Sequence, residues 1–210
     1  MLRPLVRLLP AVLICGVSGA AFATESDCTL EVEAAFAKLR ELPAFQMATT
    51  VVSEQGTLKM SVDYVPPDRM HQTVETGTSA GTVELIVIGS DAWSNQGSGW
   101  APLPEKFATQ VSSQMRLSLA QGQSRDTEYT CLGEQGFEDA RYTAYRAELP
   151  PTGAKVPTLA KPNIQTVYVD KISGLPVRNI VTPQDEPEKR LFNGTFKKLD
   201  GRKIEKPATP

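Results

Sequence analysis

The chain contains 210 residues, in which 22 lysines and arginines nearly balance 24 acids to give a net charge of −2 at pH 7. That length suits a single domain with a sizeable core. A slightly acidic chain lacks the broad basic surface that binds nucleic acid or an anionic membrane, so neither is expected as the main partner.

The first 23 residues have the features of a secretory signal peptide. Arg3 and Arg7 give a basic start, residues 8–17 are mostly apolar, and Ala21 and Ala23 form a small-x-small cleavage signal. The apolar run is shorter than a membrane span requires. We therefore expect cleavage after Ala23 and a periplasmic mature protein that does not span a membrane, with a retained N-terminal anchor as the alternative.

Cleavage would leave two cysteines, Cys28 and Cys131. In an oxidising compartment such a pair is most simply a disulfide, and two buried thiols are the alternative. Lipid anchoring at Cys15 is not expected, because Ile14 fits the position before a lipobox cysteine poorly. His71 is the single histidine, and the cysteines and this histidine lack the usual spacing of metal ligands, so no metal and no cofactor is expected.

The mature chain is expected to open with a helix that begins at Ser26 or Asp27 and ends before Pro43. Its apolar residues form one broad face: Leu30, Val32, Ala35, Phe36, Leu39 and Leu42. Such a face needs a partner. Because a strand at residues 45–53 follows directly, the helix is expected to pack on the sheet that it precedes.

Residues 56–104 have the pattern of short antiparallel strands joined by tight polar turns. Between residues 58 and 65, apolar and polar side chains alternate with the period of two that is typical of a half-buried strand. Pro66 and Pro67 then break the run. Residues 82–88 are nearly continuously apolar, which predicts a strand covered on both faces.

A second helix is predicted over residues 105–120. Pro104 is suitable for the first turn of a helix, and Phe107, Val111 and Met115 follow at a spacing of four. This stripe predicts an amphipathic helix inserted in the middle of the sheet.

The rest of the chain is mostly strand. Residues 126–132 and 137–149 flank a turn with glycines at 133–136, which predicts a hairpin. A second hairpin and a last strand are expected between residues 164 and 199. Residues 150–162 contain four prolines and predict a surface loop or a flap.

Together these patterns predict an α+β fold with about ten or eleven strands in one large curved antiparallel sheet. The two main helices are expected to cover its concave face. The domain would span residues 24–206, and residues 207–210 are expected to form a disordered tail.

Four short motifs spread along the mature chain carry a resemblance to a known family. They are Gly56-Thr57-Leu58, Pro66-Pro67-Asp68-Arg69-Met70, Gly89-Ser90-Asp91-Ala92-Trp93 with Gly99-Trp100, and the hairpin from Tyr168 to Arg178. On these motifs the chain resembles the periplasmic lipoprotein-carrier superfamily. That superfamily includes LolA and LolB type carriers, mycobacterial lipid-carrying lipoproteins and the sensor domain of RseB-type regulators. The resemblance implies an unclosed half-barrel lidded by helices, with an apolar cavity between sheet and helices.

The function implied by the resemblance is binding and carriage, without chemistry, of a lipid, an acyl chain or a lipoprotein anchor. The alternative function is an envelope sensor or structural module that recognises another protein through the same fold. Candidates for the cavity are apolar and aromatic residues on the elements expected to face the concave side, which could equally form a dry core: Met60, Val62, Tyr64, Leu85, Trp93, Trp100, Phe107, Val111 and Met115.

Catalysis has little support in the sequence. His71 lies among polar residues and is expected to be exposed, and no serine carries a nucleophile-elbow motif. Glu134, Glu138 and Asp139 form an acidic cluster beside a predicted turn, where acids are ordinarily solvated. We therefore do not expect an enzyme.

Overall fold

The computed structural model describes residues 25–53, 56–76, 81–120, 127–151 and 161–209. The predicted signal peptide, Cys15 and most of the proline-rich segment 150–162 lie outside these residues.

The helices and strands follow the predicted order along the chain. The helices are α1 (Glu25–Arg40) and α2 (Glu105–Ala120). The strands before α2 are β1 (Phe45–Ser53), β2 (Gly56–Val65), β3 (Arg69–Thr76), β4 (Thr82–Ile88), β5 (Asp91–Asn95) and β6 (Trp100–Pro102). The strands after α2 are β7 (Thr130–Phe137), β8 (Ala140–Leu149), β9 (Asn163–Val169), β10 (Pro176–Pro183) and β11 (Phe192–Lys198).

The strands form one sheet of eleven in the order β6-β5-β4-β3-β2-β1-β11-β10-β9-β8-β7. Every pair of neighbours is antiparallel. The sheet is unclosed, with β6 and β7 at its edges, and β1 lies at its centre between β2 and β11. The predicted α+β half-barrel with two main helices is thus confirmed.

The helices bury their apolar faces against one side of the sheet, here called the inner face. From α1 the buried side chains include Val32, Phe36 and Leu39. From α2 they include Ala108 and Met115. These side chains join strand residues in the main hydrophobic core, which therefore lies between the helices and the inner face.

A smaller apolar cluster lies on the opposite side, the outer face. Ile86 and Trp93 occupy adjacent strands there, and Ile204, from the segment after β11, covers them. Arg69 Nη1 donates a hydrogen bond to the Ile204 carbonyl oxygen at 2.6 Å, which holds this C-terminal segment against the sheet.

The hairpin of β7 and β8 turns later than the sequence predicts. The predicted turn at 133–136 lies inside β7, and the chain reverses at Glu138 and Asp139 instead. The register shifts between Cys131 and Gly133, so a β-bulge absorbs the extra residue. Gly133 has φ of 69°, which a glycine adopts without strain. Gly133 therefore marks a bulge here and not the turn.

Within the described ranges, neither helix combines the length with the apolar composition that crossing a membrane requires.

Candidate functional site

A cavity of about 320 Å³ lies between the ends of the two helices and the inner face of the sheet. Its lining is mostly apolar and aromatic: Phe36, Leu39, Arg40, Phe45, Met47, Tyr64, Ser118, Leu119, Asn179, Phe192 and Phe196. Binding cavities for small molecules typically measure about 300–1,000 Å³ and combine an apolar lining with a few polar groups. The composition and size of this cavity fit that description.

The floor of the cavity straddles the central pair of strands, β1 and β11. Met47 on β1 lies opposite Phe196 on β11, and both side chains point to the inner face. Phe36 of α1 meets Phe196 edge to face, with ring centroids 5.3 Å apart. Phe45 stacks on Tyr64 of β2 at 5.0 Å. Aromatic side chains therefore hold helix and floor together without filling the space between them.

Gly194 leaves room in the floor for a neighbouring ring. A Cβ atom at this position would lie 2.8 Å from Cε1 of Phe192, so the Phe192 ring folds back over the bare backbone. Any larger residue at 194 would push the ring away from the sheet. Asn179 on β10 pairs with Gly194 on β11. The absence of a side chain at Gly194 therefore leaves space in the cavity beside Asn179.

A buried chain of neutral polar groups leads to the cavity. The Tyr129 hydroxyl donates to Gln165 Oε1 at 3.0 Å, and Gln165 Nε2 donates to Asn179 Oδ1 at 3.0 Å. Burial raises the pKa of Tyr129, so the phenol stays protonated and keeps donating. This chain fixes the orientation of the Asn179 amide, and Asn179 is its member in the cavity lining.

The first helix is fastened to the sheet near its start. The disulfide between Cys28 and Cys131 joins α1 to β7, which confirms the predicted pairing. Tyr129 donates its backbone N–H to Thr29 Oγ1 at 2.9 Å, and the Tyr145 hydroxyl donates to Glu31 Oε2 at 2.6 Å. The opposite end of α1, at Arg40, lies at the cavity.

The structure places the predicted site residues in three environments. Tyr64 lines the cavity, and burial raises the pKa of its hydroxyl. The aliphatic candidates lie in or against the main core between helices and sheet, outside the cavity lining: Met60, Val62, Leu85, Val111 and Met115. The aromatic candidates of β5, β6 and α2 lie elsewhere.

Trp93 and Trp100 belong to the outer-face cluster and so do not face the helices. Trp93 borders a separate depression of about 530 Å³, whose lining includes Asp91, Glu105 and Lys206. Phe107, expected on the inner side of α2, is 54% exposed. These three side chains lie outside the cavity between helices and sheet.

Residues that sequence reasoning did not select make up most of the lining. Arg40, Asn179, Phe192 and Phe196 were not candidates, although Phe192 and Phe196 alternate on the last strand as inward residues do. That alternation could have identified both phenylalanines as inner-face residues. No sequence pattern identifies Asn179 or Arg40 as lining residues, because a polar residue on a strand or at a helix end is ordinarily solvated.

His71 is part of a charged network on the outer face and is not simply exposed. Its Nε2 lies 3.0 Å from Glu84 Oε2, and Arg202 Nη2 lies 2.9 Å from its Nδ1. Arg202 Nε lies 2.8 Å from Asp63 Oδ2. An arginine donates at Nδ1, so the neutral ring carries its proton on Nε2 and donates it to Glu84.

The predicted acidic cluster is divided among separate ion pairs. Glu134 pairs with Lys171 and Arg141, and hydrogen bonds from these cations lower the pKa of its carboxyl. Glu138 pairs with Arg178 at 2.8 Å. In the part of the chain that the structure describes, no group of three histidine, cysteine or acidic side chains is arranged to hold a metal ion.

Two solved structures share this fold over nearly their whole length. The lipoprotein LppX from Mycobacterium tuberculosis matches with a TM-score of 0.57 and 16% identity, over 86% of this chain and 99% of that chain. LprF from Mycobacterium bovis matches with a TM-score of 0.54 and 12% identity, over 88% of this chain and 98% of that chain. A LolA superfamily protein from Nitrosomonas europaea matches more weakly, with a TM-score of 0.33 and 10% identity, over 83% of this chain and 94% of that chain.

The chain therefore has the LppX-like half-barrel fold, as the sequence resemblance predicts. Neither the protein-family models nor the curated protein sequences give a match.

Proposed function

We propose that this protein is an exported carrier that holds a lipid or acyl chain in the cavity between its helices and its sheet. It binds and releases this ligand without changing it chemically. Burial of the chain supplies the binding free energy, at about 0.8 kcal/mol for each methylene group removed from water. Release requires movement of a helix, and α2 is the free candidate because the disulfide fastens α1.

The observation that carries this proposal is the apolar cavity over the β1 and β11 floor, in a fold that the chain shares with the lipoprotein LppX. Among the described lining residues, Ser118 and Tyr64 carry hydroxyl groups, and neither a histidine nor a carboxylate accompanies them. A lining of this kind suits binding better than acid-base chemistry.

The first experiment is native mass spectrometry of the mature protein, purified from the envelope of its host without detergent and followed by organic extraction. A reproducible added mass that extracts as a lipid supports the carrier function. Uptake of a fluorescent fatty-acid probe by the stripped protein provides the second readout. A clean apoprotein that also takes up no probe contradicts the proposal and favours recognition of another protein.

A matched pair of variants on α2 tests whether the ligand occupies this cavity. Leu119 lines the cavity, whereas Leu117 is 48% exposed on the same helix. We expect Leu119→Trp to fill the space and weaken probe binding at least about tenfold, and Leu117→Trp to bind as the wild type does. Equal binding by both variants would place the ligand elsewhere.

We propose further that the protein is exported and cleaved after Ala23 to give a periplasmic form. The Cys28–Cys131 disulfide supports this proposal, because such bonds persist in oxidising compartments. Intact-mass measurement of the envelope protein tests it. A mass that begins at Thr24 agrees with the proposal, and a retained N-terminus or a lipid on Cys15 contradicts it.

A further inference from the structure

We propose that the cavity takes an amphiphile with one acyl chain and an anionic head group, and that Arg40 binds the head group. This inference rests on the proposed carrier function and adds the class of ligand. A carboxylate and a phosphate monoester share the chemistry that a guanidinium recognises.

Arg40 is a half-buried cation in the lining of an apolar cavity. It ends α1, and burial lowers the pKa of its guanidinium, an effect that the neighbouring Glu41 carboxylate opposes. Among the described residues, no carboxylate or other acceptor forms an ion pair or hydrogen bond with it. Partial removal of a charge from water without a partner costs free energy, and a bound anion would recover it.

The other half-buried arginines of the described chain are all engaged. Arg69 donates to the Ile204 carbonyl oxygen, Arg178 to Glu138 and Asn193, and Arg202 lies against Asp63 and His71. Arg40 differs from these three because it alone faces the cavity. The lack of a described partner therefore distinguishes the arginine in the cavity from the other half-buried arginines of this fold.

The rest of the lining favours a negative ligand as well. Among the described residues of the lining there is no acidic side chain, so Arg40 gives this part of the cavity a net positive charge. The Asn179 amide accepts from Gln165 through its oxygen, which leaves its N–H groups as the donors that this lining residue can offer to a ligand oxygen. A volume of about 320 Å³ lies at the lower end of the usual range of about 300–1,000 Å³, which suits one chain better than several.

The head-group inference is tested by comparing hexadecanoic acid with hexadecanol, two probes with the same chain length. We expect the wild type to bind the acid about 10- to 100-fold more tightly than the alcohol, the range that a hydrogen-bonded charge pair supports. Arg40→Gln should remove this preference and leave alcohol binding unchanged, and Arg40→Lys should restore part of it. Alcohol binding also verifies that each variant is folded.

Lys38→Gln is the matched control, because Lys38 is an exposed cation on the same helix outside the cavity lining. It should keep the full preference for the acid. Equal binding of acid and alcohol by the wild type, or a preference that survives Arg40→Gln, overturns this inference while the carrier function stands. Failure of the wild type to bind either probe overturns both. Repeating the comparison with hexadecyl phosphate, a phosphate monoester of the same chain length, distinguishes a phosphate head group from a carboxylate.

Discussion

At the scale of single residues, Gly194 is required by the packing of Phe192 and not by the backbone. The ring of Phe192 occupies the space that a Cβ atom would take, 2.8 Å from Cε1. We expect Gly194→Ala to turn the ring into the cavity and weaken binding of an acyl probe about tenfold, at a stability cost of about 1–3 kcal/mol for overpacking. Probe titration and denaturant unfolding measure the two effects.

Gly136→Ala is the control for this substitution. Gly136 also lies in a strand of the sheet, and a Cβ there meets nothing within 4 Å. Its probe affinity should equal that of the wild type. If Gly194→Ala binds equally well, the Phe192 ring does not border the ligand.

Asp170, which follows β9, makes the stability of the fold depend on pH in the acidic range. Ser173 donates to its carboxylate from both the side-chain hydroxyl and the backbone N–H at 2.7 Å, and these bonds lower the pKa of Asp170 below 3.8. A lowered pKa means that the carboxylate stabilises the folded state above about pH 3.8 and loses this effect as the pH falls through the folded value.

We therefore expect Asp170→Asn to be less stable than the wild type at pH 7, by about 1 kcal/mol, and the difference to shrink as the pH falls below about 3.8. Denaturant unfolding at pH 7 and pH 3 measures this difference. Asp139→Asn in the exposed turn after β7 is the control and should show no such trend. A constant difference at both pH values would contradict the assigned role of the carboxylate.

At the scale of elements, the C-terminal segment acts as a cover for the outer face. Ile204 is 3% exposed and packs on Ile86 and Trp93. We expect Ile204→Ala to lower the free energy of unfolding by about 2–4 kcal/mol and to shift tryptophan emission to the red as water reaches Trp93. Thermal unfolding and fluorescence spectra measure the two effects.

Ile172→Ala serves as the control, since Ile172 is 97% exposed in the turn between β9 and β10. It should change neither quantity measurably. A normal stability for Ile204→Ala would mean that the segment after β11 contributes little to the fold in solution. The predicted disordered tail, residues 207–210, stays a prediction.

The sequence predicts the elements well because each pattern is local. Alternation from 58 to 65 predicted β2, and the spacing of Phe107, Val111 and Met115 after Pro104 predicted α2. The same patterns do not determine which side chains of an element face the core. In the structure α2 is rotated slightly, so that Ala108 and Met115 are buried and Phe107 is exposed.

The candidate site was predicted less well, for a related physical reason. Alternation separates the two faces of a strand but cannot say which face the helices will cover. Trp93 and Trp100 therefore appeared as cavity residues, although they lie on the outer face under Ile204. The cavity also depends on the meeting of β1 with β11, and a contact between residues so distant along the chain leaves no local pattern.

At the scale of the whole molecule, the disulfide between Cys28 and Cys131 closes a long covalent loop, with a separation of 103 residues. In the chain-entropy account a loop of about a hundred residues stabilises the fold by about 4–5 kcal/mol. We expect Cys28→Ser with Cys131→Ser to lose about that free energy in guanidinium unfolding. A reductant should destabilise the wild type to the same level and leave the double variant unchanged.

The double variant also tests the division of roles between the helices. If α2 moves for release, removal of the disulfide should lower stability without changing the rate at which a bound probe leaves. A much faster release would mean that α1 moves instead.

The pairing of β1 with β11 also sets the order in which the molecule is assembled. β1 to β6 and β7 to β11 each pair with their chain neighbours, whereas Phe45 pairs with Lys198 across almost the whole sequence. Each half-sheet can therefore form by pairing of strands that are neighbours along the chain, and the pairing of β1 with β11, which are far apart in sequence, is the slow step.

The floor of the cavity is formed by β1 and β11, so the binding site exists only after these two strands have paired. A ligand lying across these two strands then stabilises both halves together, so the loaded protein should unfold more slowly than the empty one.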